Sequence, residues 1–233
     1  VPFLDDIGPG DERRSPSWAT FATVADQVER MVMTNLAWAA VLAPGVLALA
    51  FTGLPGWLRV ILGLVSATAL PPATAVVYGV AASACRGQHV DLGLAGELLR
   101  ELGVPALRTL APLYGTFGVL VWSAWAASAA GLTPLVTVLT LAVLVWSVCG
   151  TYWGPLFADD PTLSPARLAA RSVRLVWQAP ERALVTWLLV GLCVLVGVVT
   201  IAGVALIVPV LVAVAQTHRL RDLHSVVSTP LAR

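Results

Sequence analysis

Between residues 31 and 217 the chain is a succession of apolar runs, each long enough to cross roughly 30 Å of hydrocarbon as a helix, separated by short polar connections. Such a pattern leaves few folds open. In lipid every backbone N–H and C=O must be satisfied within the protein, so spanning segments are helices or closed barrels, and runs of this length are helices. The composition agrees: 58% of residues are hydrophobic, 12% are charged and the mean hydropathy is +0.85, whereas soluble domains carry about 25% charge. A net charge of +1 gives no reason to expect nucleic acid as a partner.

The first span is expected from about Met31 to Phe51 and ends in the turn Gly53-Leu54-Pro55-Gly56. The second runs from Trp57 to Ala84. Pro71 and Pro72 lie inside it and are expected to kink or break the helix, because each removes a donor and clashes with the preceding turn. The third, from Pro105 to Ala130, begins with proline in its first turn. The fourth follows the turn at Gly131-Leu132-Thr133-Pro134, with Thr133 as N-cap, and lasts to about Phe157. These two form an antiparallel hairpin. The last apolar run, Ala183 to Thr217, is long for one span and short for two.

Charge arbitrates. All but one of the 14 basic residues, every one an arginine, lie before span one, between spans two and three or in the first turn of three (Arg108), between four and five, or at the C-terminus. The exception is Arg59. If the last run is a hairpin turning near Thr200 to Gly203, the others share one side of the membrane, as the positive-inside rule requires of a cytoplasmic face. The expected fold is therefore all-α: a polytopic transmembrane helical bundle of six spans, or five if that run stays a single helix. Residues 1–30 form a cytoplasmic N-terminal segment, 31–217 the transmembrane domain and 218–233 a cytoplasmic tail, in a bacterial plasma membrane. The first apolar run lies behind an acidic and polar start, which is not the pattern of a cleavable signal.

Three amphipathic segments are expected on the cytoplasmic surface. Trp18, Phe21, Val24, Val28 and Met31 make an apolar stripe over Ser17 to Val32. Leu92, Leu94, Leu98, Leu99 and Leu102 do so between Asp91 and Gly103, alternating with Asp91, Glu97, Arg100 and Glu101. In the third, Ser164 caps a helix opening at Pro165, with Arg167, Arg171 and Arg174 on one face and Leu168, Leu175 and Val176 on another.

Reactive constellations are not readable. No Asp, Glu or Arg sits in the middle of a span, where a proton relay or ion-coupled transporter would carry one. His89, His218 and His224 match no metal-ligand spacing, a chain without lysine cannot carry the phosphate-binding Gly-Lys loop, and no serine is paired with a His and an acid. Cys85, Cys149 and Cys193 read as small packing residues. The expectation is a non-enzyme without metal or cofactor. Small residues every four positions, Gly63, Ala67 and Pro71, then Ser123, Ala127 and Gly131, allow close helix packing within the bundle or against a partner's helix. Trp57, Trp153 and Trp177 read as interfacial anchors. Trp122, Trp125 and Trp146 lie deeper, where they pack or line a sugar or lipid site.

Two stretches carry a family signal: Met33-Thr34-Asn35-Leu36-Ala37-Trp38 at the entry to span one, and Leu70-Pro71-Pro72-Ala73-Thr74-Ala75-Val76-Val77-Tyr78, followed by Cys85-Arg86-Gly87-Gln88. With Gln178-Ala179-Pro180 before the last hydrophobic block, they resemble the YesL-like family of bacterial membrane proteins, a family of unknown molecular activity. The resemblance implies an accessory or regulatory subunit beside a carbohydrate ABC importer, with its permeases and ATPase as partners and lipid as surroundings. A permease in its own right is the alternative, faintly echoed by Ala95-Gly96-Glu97 through Gly103, and a membrane-embedded sensor is another. The residues themselves give Asn35 as a clasp for carbonyls freed in the bundle, and Thr74 or Tyr78 as donors into a break at Pro71-Pro72. Trp38 stands beside them in the entry motif. Arg167, Arg171 and Arg174 would meet lipid headgroups or acidic groups on a partner.

Overall fold

The computed structural model describes residues 20, 22–24, 28–88, 90–200 and 208–228. Every regular element among them is helical: α1 (Val28–Ala50), α2 (Gly56–Ala84), α3 (Leu92–Ala129), α4 (Thr133–Gly150), α5 (Trp153–Asp159), α6 (Pro165–Gln178), α7 (Pro180–Thr200) and α8 (Val208–Ser228). Five helical segments are long and apolar enough to cross a membrane: Glu29–Ala50, Gly56–Ala84, Gly93–Ala129, Thr133–Asp159 and Pro180–Gly197. The chain is an all-α helical bundle of a kind compatible with a membrane-embedded protein.

Neighbouring helices run antiparallel, as their cross-bonds show. Ser66 of α2 meets Val41 and Gly45 of α1, Trp146 of α4 meets Leu113 of α3, and Trp187 of α7 meets Ser147 of α4. Arg182 at the start of α7 pairs with Asp222 late in α8 at 3.0 Å, so the last apolar run is two helices, not one. The turn expected near Thr200 to Gly203 falls, beyond Thr200, outside the described residues. Arg86, Arg171, Arg182 and Arg221 thus gather at one end of the bundle, and α8 continues unbroken past Thr217 to Ser228. Of the N-terminal stripe, Trp18 and Phe21 lie outside the described residues, and Val24 packs against the α1–α2–α8 core.

The core is asymmetric. Its fully buried large side chains, among them Leu110, Tyr152, Phe157, Leu168, Val210 and Leu220, lie toward the arginine-rich end. Toward the other end Leu49, Phe51, Val60, Leu64, Val119, Val138, Val145, Leu188 and Leu195 are all exposed. An apolar belt of that extent suits lipid rather than water.

Three expectations are corrected. Pro71 and Pro72 do not break the second helix; α2 runs through both. Only two donors are lost there, whereas a break in hydrocarbon would leave several backbone groups without partners. The segment from Asp91 to Gly103 does not lie on a surface apart from span three: both belong to α3, 38 residues long, or about 57 Å. Asp91 caps it through a bond from Leu94 N at 2.7 Å. Its leucine stripe finds a partner in α2, where Leu98 and Leu102 close on Gly79, so the helix gains by continuing and Pro105 lies inside it. Finally, α4 starts at Thr133 with Leu132 at the cap position and no side-chain cap bond. It ends at Gly150; the chain bends at Thr151 and Tyr152 before α5, whose Pro155 cannot donate back across the bend.

Pro44, inside α1, shows how this bundle repairs a proline. In an uninterrupted helix Gly45 N would donate to Val41 O. Here Gly45 N donates to Ser66 Oγ at 2.7 Å, and Ser66 Oγ donates to Val41 O at 2.9 Å. The serine hydroxyl is inserted into the ladder of another helix, a recognised cause of helix bending. Gly45 is what lets it in: a Cβ there would stand 3.0 Å from both Ser66 Cβ and Oγ. We expect Ser66→Ala to lower stability by about 1–3 kcal/mol, the cost of a stranded buried polar group, read as the melting temperature in detergent; Thr68→Ala, whose hydroxyl bonds only Leu64 O of its own helix, should leave it unchanged.

Candidate functional site

The structure collects most of the entry and kink residues around the junction of α1, α2 and α8. Asn35 is 1% exposed, and its Oδ1 accepts a bond from Val210 N at 2.9 Å. Pro209 precedes that donor, so the first turns of α8 are short of ordinary ladder bonds and an amide oxygen from another helix supplies one. Asn35 thus joins α1 to α8 by accepting a backbone N–H through its amide oxygen.

Thr74 and Tyr78 also act between helices and not within α2, because α2 has no break for them to fill. Trp38 Nε1 donates to Thr74 Oγ1 at 3.3 Å, and Thr74 also interacts with the phenol of Tyr114 on α3. Tyr78 OH donates to Gln216 Oε1 on α8, and its ring lies against Gly154 of α5. Pro71 is buried inward. Pro72 instead lines a groove of about 400 Å³ between α1, α2 and α3, with Thr34, Trp38, Ala73, Val76 and Leu99. Its walls are almost wholly apolar, with the Thr34 hydroxyl already donating to Arg30 O. A space of this size and character takes an apolar ligand or an acyl chain.

A second polar contact closes the arginine-rich end over this junction. Thr23 Oγ1 and His218 Nε2 lie 3.2 Å apart, and Arg221 donates to the Cys85 carbonyl at 2.8 Å. His218 stands in the polar end of α8, where burial first, and the Arg221 charge second, hold its imidazole below the ordinary value near 6.5. The sign follows: the unfolded chain takes up the proton more readily, so this group's contribution is present above about pH 6.5 and is lost as pH falls through the folded value. Thermal stability should therefore fall between pH 7.5 and 5, and His218→Gln should flatten that part of the profile measured by melting in detergent.

Arg167, Arg171 and Arg174 are placed elsewhere. The Ser164 Oγ accepts from Arg167 N at 3.4 Å to cap α6, and Leu168, Ser172 and Leu175 bury its inner face. Ser172 Oγ donates to the Cys149 carbonyl. The three arginines project outward together with Val173 and with Trp177, which is 86% exposed. Arg171 reaches Asp160 at 3.8 Å; a bond from the Thr162 hydroxyl, ahead of the Arg171 charge, holds the Asp160 carboxyl below its usual range.

Of the aromatic residues, Trp57 and Trp177 are exposed as anchors should be, but Trp153 is 3% exposed. The bend before α5 turns it inward against Trp146, ring centroids 5.3 Å apart and edge-on, and Tyr114 at 6.1 Å. Trp122 and Trp125 touch at 4.9 Å on the exposed face of α3. Sequence reasoning missed Ser66 and Gln216. The signal for the first was Pro44, which requires a polar partner nearby; for the second, it was a lone amide at the end of an apolar run.

The fold and these sites define an all-α bundle with membrane-spanning character and a polar junction among α1, α2 and α8. Comparison with protein-family models, curated proteins and solved structures gives no match for this chain.

Proposed function

We propose that this chain is a non-catalytic accessory or regulatory subunit of the bacterial inner membrane, multi-pass with both termini cytoplasmic, that associates with a carbohydrate ABC importer. The observation that carries the docking role is the outward face of α6. Three arginines there are interleaved with exposed Val173 and Trp177, on a helix whose inner face is packed into the bundle and joined to it through Ser172. Rigidly presented Arg and Trp are the residue types that dominate protein interfaces. The class of partner comes from the resemblance of the Asn35–Trp38 and Leu70–Tyr78 stretches to the YesL-like family. The permease alternative is weakened because Ala95 to Gly103 is helical within α3, with Leu98 and Leu102 packed on Gly79, and is not a free docking loop.

The test is a tagged pull-down from native membranes in mild detergent, followed by size exclusion and mass spectrometry. Recovery of both permeases and the ATPase of a sugar importer at fixed stoichiometry is expected; recovery of this chain alone would sink the reading. Replacing Arg167, Arg171 and Arg174 together with Gln should reduce partner recovery at least tenfold, about 1.4 kcal/mol or more. A membrane-embedded ligand sensor is the second reading, favoured by the 400 Å³ groove beside Trp38 and Pro72. Under it the chain would be recovered alone, and a small apolar molecule would copurify.

A further inference from the structure

Arg59 is isolated by charge. The chain's 13 acidic residues all lie before α1, in its first turn, in 91–101, at 159–160, at 181 and at 222. None falls in the connections at the opposite end of the bundle, residues 51–56 and 130–133, and the sequence from 201 to 207 holds none either. The nearest acid along α1 is Glu29, about 28 Å of helix from Ala48. Among the described residues no carboxylate is placed to neutralise Arg59.

The side chain is nevertheless held in place. Arg59 Nε donates to the carbonyl of Ala48 at 2.9 Å, one of the last carbonyls of α1, where a cation is favoured by the helix dipole. That bond uses the inner edge of the guanidinium and leaves the paired Nη groups, the edge that grips phosphate oxygens. Trp57, two residues earlier and 67% exposed, sits as tryptophans do at headgroup level. Beside Arg59 a groove of about 580 Å³ runs between α1 and α2, lined by Leu42, Gly45, Val46, Leu49, Val60 and Gly63. Gly63 leaves it open: a Cβ there would meet nothing within 4 Å.

We propose that this groove is a binding site for an anionic phospholipid of the leaflet facing away from the arginine-rich end, with the phosphate on Arg59 and one acyl chain along the glycine-floored groove. The site combines the two requirements of a lipid contact. A cation with no counter-ion among the described residues stands at headgroup depth, and an apolar channel leads from it into the hydrocarbon. It is independent of any protein partner and does not rest on the accessory-subunit reading.

The test uses the full chain, purified in detergent and given phosphatidylglycerol or phosphatidylcholine carrying the same diazirine-labelled acyl chain, with crosslinks mapped by mass spectrometry. Labelling of residues 42–49 and 56–66 should favour phosphatidylglycerol by about five-fold, the factor one basic residue contributes at a membrane surface. Arg59→Gln should abolish that preference, bringing phosphatidylglycerol labelling down to the level of phosphatidylcholine, and Arg59→Lys should retain most of it. Gly63→Leu, which fills open space, should remove labelling by both lipids. Equal labelling by the two lipids in the wild type would overturn the proposal, as would a preference that survives Arg59→Gln. If Arg59→Gln does not fold, the wild-type preference and its loss in Gly63→Leu decide the matter.

Discussion

Gly154→Ala is expected to destabilise the protein by about 2–6 kcal/mol, the sum of an overpacking and a stranded-polar cost. Gly154 is buried in α5, and the ring of Tyr78 occupies the space its Cβ would need. Overpacking of this kind costs about 1–3 kcal/mol when the neighbour can shift. Tyr78 cannot shift freely, because its hydroxyl donates to Gln216 Oε1 across the bundle. Moving the ring gives up that bond and strands two polar groups in the interior, which adds about 1–3 kcal/mol. The same change at Gly191, where a Cβ meets nothing within 4 Å, should be neutral or stabilising by about 0.5–1 kcal/mol, as alanine is in a helix. Melting in detergent, followed by tryptophan fluorescence or by loss of the monodisperse peak, separates the two. A Gly154→Ala variant that melts with the wild type would show that α5 does not press on Tyr78.

Asn35→Leu is expected to cost about 2–3 kcal/mol. The leucine fills the volume but leaves Val210 N without its acceptor, in a part of the bundle with no water to replace it. Because the bond joins residues far apart in the chain, its loss should loosen α8 as a unit. Limited proteolysis of 208–228 should accelerate alongside the fall in melting temperature. Thr34→Val is the control: Thr34 is as buried, but its hydroxyl bonds only Arg30 O within α1, so the expected change is within about 0.5 kcal/mol. Equal effects from the two substitutions would remove the special role of Asn35.

The character of each span was legible because apolar length is a local property, and the helices begin and end close to the turns that proline and glycine mark. Local signals failed where a distant helix changed the balance. Gly103 and Pro105 read as the end of one helix and the start of another, yet Leu98 and Leu102 gain a partner in Gly79, and α3 runs through. Trp153 reads as a rim anchor from its place at the end of a run, but the bend at Thr151 and Tyr152 carries it inside. Asn35 was identifiable as a lone amide in an apolar span. Its partner was not, since nothing near residue 35 announces a backbone donor at residue 210. Arg167, Arg171 and Arg174 were correctly grouped because three-and-four spacing on a capped amphipathic helix depends on that helix alone.

The serine inserted at Pro44 also bears on how the protein is made. When α1 first leaves the ribosome the hydroxyl that bridges Gly45 N and Val41 O in the folded protein is not yet made, and it arrives only with residue 66. A channel that released α1 sideways into lipid by itself would deliver a helix without the hydroxyl bridge beside Pro44. The smallest segment that can carry the bent form of α1 is therefore the pair, α1 with α2, because the hydroxyl that bridges the bend belongs to the second helix.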